Sequence, residues 1–117
     1  MSNIVNQTFD PIYVSPDNQA TTASYVDVTG SKIDTFSKTK VCYTCKNAHV
    51  SNSINWKVLC SNDDSSYVEA QAEATLAAGA IGSYTNTLAT YRYYKVQVLT
   101  TSNPDHGTAQ VRGFSKA

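Results

Sequence analysis

Hydrophobic and polar positions alternate along much of this chain, most plainly in residues 54–70, INWKVLCSNDDSSYVEA. Ile54, Trp56, Val58 and Cys60 fall on one face, and Asn55, Lys57, Leu59 and Ser61 on the other, the period of two expected of a strand. Residues 61–66 hold no apolar side chain and predict a turn, after which Tyr67, Val68 and Glu69 resume the extended pattern. The only Trp of the chain lies on the first strand, so Trp56 is the expected anchor of a β core.

The rest of the chain reads similarly. Residues 24–29 (SYVDVT) predict a strand stopped by Gly30-Ser31, and 33–36 a short extended piece. In 40–47 (KVCYTCKN), Val41, Tyr43 and Cys45 share one face, while Lys40, Cys42, Thr44 and Lys46 share a face that the lysines turn toward solvent. Residues 69–80 (EAQAEATLAAGA) satisfy helix propensity. They follow a strand signal and run into Gly79 and Gly82, so extended structure with a loop over 77–82 is the expectation. The longest strand signal is 90–100 (TYRYYKVQVLT), with Arg92, Tyr94, Val96 and Val98 opposite Tyr91, Tyr93, Lys95, Gln97 and Leu99. A turn cluster, TSNPDHG (101–107), precedes a closing strand over 108–115 with Ala109 and Val111 inward.

Short strands at near-regular spacing predict an all-β chain, one domain over 1–117 built as an antiparallel sandwich or barrel, with a single β-sandwich of jelly-roll type as the expectation. Residues 1–23 are irregular and contain Pro11 and Pro16. There, Ile12, Tyr13 and Val14 predict an edge strand of the chain's own sheet, where proline is tolerated. The fold is also expected to carry an extended N-terminal arm, residues 1–16, that reaches a neighbour and whose removal leaves the domain folded.

Composition narrows the partners. Nine basic residues balance nine acidic ones, and charged residues make up only 15% of the 117. A nucleic-acid binder shows a basic excess or stripe, and none is visible. Zero net charge also gives little repulsion between copies, which suits an assembly and a homo-oligomer. No run approaches 18 apolar residues, so no membrane span is expected. The start, MSNIVNQTFD, lacks the basic and apolar regions of a signal peptide. Three cysteines in such a chain are expected to stay reduced.

Candidate chemistry is sparse. A redox C-x-x-C needs its first thiol at a helix N-terminus. Cys42 and Cys45 lie in a strand pattern, on opposite faces. With His49 and Cys60 they give a spacing that fits no zinc site, so they read as structural thiols. Asn62-Asp63-Asp64 supplies clustered oxygens, but these residues also build turns by themselves, and no bidentate Glu follows at calcium-loop spacing. Asp105-His106 has no placed nucleophile and reads as a polar turn. No catalytic residue, metal ligand or cofactor is therefore assigned. The tyrosines 91, 93 and 94, with Tyr84 upstream, are open to core packing, to a protein interface or to stacking on sugar. Ile12, Tyr13, Val14, Tyr91 and Tyr93 are the candidate interface residues.

Two resemblances bear on these residues. The succession WKVLCSNDDSSYVE (56–69), YRYYKVQV (91–98) and AQVRGF (109–114) resembles the strand order of discoidin or galactose-binding-like sandwiches. Asp64 stands where that family has Gly, and Tyr67 near its Trp. The succession YVDVTG (25–30), INWKVLCSND (54–63) and YRYYKVQV (91–98) resembles small β proteins encoded among the structural genes of tailed phages. It implies a non-enzymatic virion component. The expected role is capsid decoration or an auxiliary head function, stabilising the particle by bridging neighbouring capsid subunits, with the major capsid protein or other virion proteins as partners. A carbohydrate-binding module of a tail or fibre, with a glycan partner, is the alternative.

Overall fold

The computed structural model describes residues 12–17, 19–36, 38–100 and 107–116. Ten strands and no helix are formed among them. These are β1 (Ile12–Val14), β2 (Gln19–Ala20), β3 (Val26–Asp27), β4 (Ile33–Asp34) and β5 (Lys40–Asn47), followed by β6 (Ile54–Ser61), β7 (Val68–Leu76), β8 (Ile81–Asn86), β9 (Tyr93–Thr100) and β10 (Thr108–Lys116). They build two antiparallel sheets, one ordered β1-β10-β5-β8 with β2 also on β10, the other β3-β9-β6-β7 with β4 also on β9. Because β5 takes one side of β10 and β6 one side of β9, the pairs β1/β2 and β3/β4 each behave as one interrupted edge strand. Counted so, the order is 1-8-3-6 facing 2-7-4-5, the arrangement of a jelly roll.

The expected alternation sets the core. Val41, Tyr43 and Cys45 of β5 and Ala109 and Val111 of β10 face Ile54, Trp56, Val58 and Cys60 of β6 and Tyr94, Val96 and Val98 of β9. Trp56 is 1% exposed at the centre. Opposite β6, strand β7 takes extra residues: Trp56 pairs Ala74, Val58 pairs Gln71 and Leu59 pairs Glu69. These are bulges, and beside them Leu59 and Ser61 are buried although the alternation points them outward.

Three sequence expectations are refined. The stretch with helix propensity is strand β7, since its segment completes a sheet against β6 and packs Ala70, Ala74 and Leu76 against the core. The loop expected over 77–82 is shorter, because β8 starts at Ile81. A six-residue strand holding Gly, Ser and Asn gives a poor strand signal. Gly82 is nevertheless required: a Cβ there would lie 3.0 Å from the Trp56 ring and from Leu76. In the N-terminal stretch, β1 pairs antiparallel with β10 from Ile12↔Ser115 to Val14↔Gly113, as an edge strand of the chain's own sheet. Ile12 and Val14 pack against the core and Tyr13 points out, 62% exposed. Removing residues 1–16 would therefore cut into the sheet, and residues 1–11 lie outside the described residues.

Buried side chains tie the sheets together through polar contacts: Asn47 Nδ2 of β5 donates to the Leu76 carbonyl of β7 at 3.1 Å, and Tyr43 makes a second tie. Tyr43 rises from β5, 1% exposed, and its hydroxyl donates to the Ser31 carbonyl at 2.6 Å, 3.1 Å from the Tyr94 carbonyl. Ser31 Oγ in turn accepts from Val96 N–H at 3.1 Å. The Tyr43 ring needs Gly113 beside it, since a Cβ there would come within 2.6 Å of Tyr43 and of Val14. Tyr43→Phe removes the donor from a buried carbonyl and is expected to cost about 1–3 kcal/mol in chemical denaturation. Gly113→Ala is expected to cost more, by forcing Tyr43 or β1 to move. An unchanged denaturation midpoint for Tyr43→Phe would show that the hydroxyl contributes nothing.

Candidate functional site

Among the described residues, four of the five ion pairs and all five cation–ring contacts lie on the outward face of the β3/β4-β9-β6-β7 sheet. Sheet register assembles it, because Tyr93, Lys95 and Gln97 alternate outward on β9. Asp34 is registered opposite Tyr93 and Asp27 opposite Gln97 on one side, and Leu59 opposite Lys95 and Lys57 opposite Gln97 on the other. Lys57 lies 4.2 Å from the Tyr25 ring centroid and 3.5 Å from Glu69, while the Tyr25 hydroxyl donates to Glu73 at 2.5 Å. Lys95 lies 4.2 Å from the Tyr67 ring and 3.0 Å from Asp27, which also accepts from Gln97 at 2.7 Å. Arg92 grips Asp34 with two contacts of 3.0 Å and lies 5.1 Å from the rings of Phe36 and Tyr93.

Between β3 and β4 the chain turns outward at Thr29 and Gly30, while Val28 and Ser31 on either side stay buried. Gly30 adopts φ 86°, which a side chain resists. The turn after β6 swings out toward them, with Asp64 at φ 59°. A cleft of about 450 Å³ lies between the two loops, lined by Asp27, Lys32, Asp64, Ser65, Tyr67 and Lys95 among others. The 2.7 Å Lys32–Asp64 pair links its walls, and the Tyr67 hydroxyl also donates to Asp64. Lys32 holds the Asp64 carboxyl below its ordinary value, with help from Tyr67. Arg92 does the same to Asp34. Burial pushes Asp27 up, but donation from Gln97 and Lys95 outweighs it and leaves the group lowered. The Tyr67 phenol is raised, by burial first and then by its bond to Asp64. The cleft therefore holds two cations and two anions already matched to one another, suited to hydrogen bonding and not to capturing an ion.

A smaller hollow of about 210 Å³ opens between β7 and β8, lined by Cys60, Val68, Tyr84, Asn86, Tyr91 and Tyr94 among others. The five candidate interface residues thus lie in different places. Tyr13 is on the outer face of the other sheet, in a cross-strand row with Phe114, Cys42 and Thr85. Ile12 and Val14 pack inward, Tyr91 lines the hollow and packs against the core, and Tyr93 is on the charged face. The structure does not gather them into one patch. Sequence reasoning weighed Asp64 only as part of an oxygen-rich turn and did not place it with Asp27, Lys32 and Tyr67, because Lys32 meets Asp64 only through a fold that closes 32 positions of chain.

The remaining candidates take structural places. Asp63 accepts from Ser65 and Ser66 N–H at 2.9 and 2.8 Å and from the Ser61 hydroxyl at 2.8 Å, closing its own turn. Cys42, Cys45 and Cys60 are unpaired thiols. Burial pushes Cys45 up to about 12 and raises Cys60 too, away from the reactive thiolate. His49 Nδ1 accepts from Ser51 and Asn52 N–H at 3.0 and 2.9 Å, which engages it in its own loop. No cluster of three metal-ligating side chains occurs among the described residues. No helix among them is long and apolar enough to cross a membrane. Asp105 and His106 lie outside the described residues.

No protein-family model matches the chain, and no curated protein matches it. Solved structures do. PBSX exported protein XepA superposes with a TM-score of 0.69 at 14% identity, over 91% of this chain and 37% of XepA. SPBc2 prophage-derived protein YomS superposes with a TM-score of 0.59 at 10% identity, over 92% of this chain and 95% of YomS. A chain of the T13 infectious bursal disease virus particle gives 0.52 at 9% identity, over 93% of this chain and 31% of that one. The likeness is one of fold. The chain spans little more than a third of XepA.

The lowered carboxylates set an acid limit. A group held below its ordinary 3.8 stabilises the fold fully above about that pH, and the contribution is lost as pH falls through the lowered value. The melting temperature is expected to stay level from neutrality to about pH 5 and to fall below about pH 4. Asp34→Asn, measured by scanning calorimetry across this range, is expected to melt lower at neutral pH and to show a shallower acid decline. An acid decline as steep as that of the unsubstituted chain would remove Asp34 from the account.

Proposed function

We propose that this chain is a non-enzymatic structural protein of a tailed-phage particle, an auxiliary capsid protein that stabilises the shell by bridging neighbouring capsid subunits. The observation that carries the reading is the jelly roll itself, with likenesses that include phage-related proteins and a virus particle. The surface chemistry supports it. Each carboxylate among the described residues is engaged by a group of the chain itself: Asp17 by Arg112, Asp27 by Lys95, Asp34 by Arg92, Asp63 by its turn, Asp64 by Lys32, Glu69 by Lys57 and Glu73 by Tyr25. Such a surface has no unmatched carboxylate among the described residues, so burying it against a partner strands no negative charge. Repetition over a symmetric shell then turns a modest contact into avidity.

The cleft gives a second reading some ground, since its hydroxyls, carboxylates and ammonium groups suit hydrogen bonds to a sugar. The aromatic rings weigh against it. Tyr25, Phe36, Tyr67 and Tyr93 each carry a cation of the same chain over the ring, where a stacked sugar would have to compete.

The deciding experiment uses particles of the encoding phage assembled without this chain. Purified chain should co-sediment with them at fixed stoichiometry and raise the temperature at which they release their genome. Particles that neither bind the chain nor gain heat resistance would overturn the assignment.

A further inference from the structure

Two sheets have four edges, and three of these carry features that oppose pairing with another strand. The β1/β2 edge is broken into pieces of three and two residues, with Pro16 between them. The β3/β4 edge consists of two pieces of two residues, interrupted by the turn at Thr29 and Gly30. Strand β7 runs for nine residues but is bulged at two points and carries Glu69 and Glu73. Shortness, proline, bulges and charges are the devices by which sheet edges avoid association. Strand β8 has none of them. Its six residues, IGSYTN, keep unbroken register with β5 from Lys46↔Ile81 to Val41↔Asn86. None is charged and none is proline, and Ile81 is 64% exposed.

We infer that β8 is a pairing edge whose occupant is β8 of a second copy of this chain, running antiparallel about a two-fold axis at Ser83. The inference goes beyond the virion reading and does not depend on it. A two-fold contact must be self-complementary, and this edge is. With Ser83 opposite its own counterpart, Ile81 meets Thr85 and Gly82 meets Tyr84. The exposed set 81, 83 and 85 stays on one face and the half-buried set 82, 84 and 86 on the other. Each sheet of β1-β10-β5-β8 then continues into that of the second copy with its faces matched. No like charges meet along the seam, and the chain's zero net charge adds no repulsion at a distance. A strongly charged peptide, by contrast, finds no countercharge on β8 itself.

Sedimentation velocity of the full chain tests this. The unsubstituted chain should sediment as a dimer at micromolar concentration. Ser83→Glu places two carboxylates face to face at the axis and should leave monomers with unchanged far-ultraviolet circular dichroism. Ile81→Lys, on the same exposed face, should do likewise if the glutamate variant fails to fold. An equimolar mixture of Ser83→Glu and Ser83→Lys should recover the dimer, which a merely structural defect would not allow. A monomeric unsubstituted chain, a dimer indifferent to both substitutions, or a mixture that stays monomeric would each overturn the inference. Dimers that do not bind particles would count against the virion reading alone.

Discussion

The two sheets of this fold are held in one relation by buried polar contacts that cross between them, the Tyr43 hydroxyl at one place and Asn47 Nδ2 of β5, which donates to the Leu76 carbonyl of β7 at 3.1 Å, at another. Apolar packing between sheets is non-directional and tolerates sliding, whereas a buried hydrogen bond has one geometry. Tyr43 crosses from β5 to the Ser31 carbonyl, and Ser31 is fixed to β9 through Val96. That node lies in the break between β3 and β4, on the buried side of the Thr29-Gly30 turn. It also dictates the glycine at 113, because the tyrosine ring occupies the space of a Cβ on the neighbouring strand. Buried networks of this kind are worth most when every member is satisfied.

A second consequence reaches the surface. The loop that begins at Val28 carries Lys32 to Asp64, and that pair spans the cleft above β9. The Lys32–Asp64 pair thus sits next to an interior contact, while the rest of the charged network is placed by sheet register. Similar matching of cations to rings and carboxylates runs along the whole face, which makes it a polar layer with little demand for an external ligand.

The architecture was legible in the chain to the extent that it rests on alternation. Strands β5, β9 and β10, and β6 as far as Val58, carry a period of two whose inward residues are the ones that pattern selects. Strand β7 was legible only from its context, since its Ala, Glu and Gln favour a helix locally. Strand β8 left no readable signal: Gly82 serves the Trp56 ring, and Ser83 and Asn86 are tolerated because the strand lies at an edge. The surface network was illegible for another reason. Its pairs join residues that are tens of positions apart, and only the sheet register brings them opposite one another.

Gly82 has a practical consequence for this molecule. With no side chain there, the backbone of β8 lies directly on the indole of Trp56, the chain's one tryptophan. Whatever shifts or orders that edge alters the polarity and packing around a single fluorophore. The emission of the unmodified chain is therefore a built-in gauge of the state of one particular strand, readable without a label and against no background from other indoles.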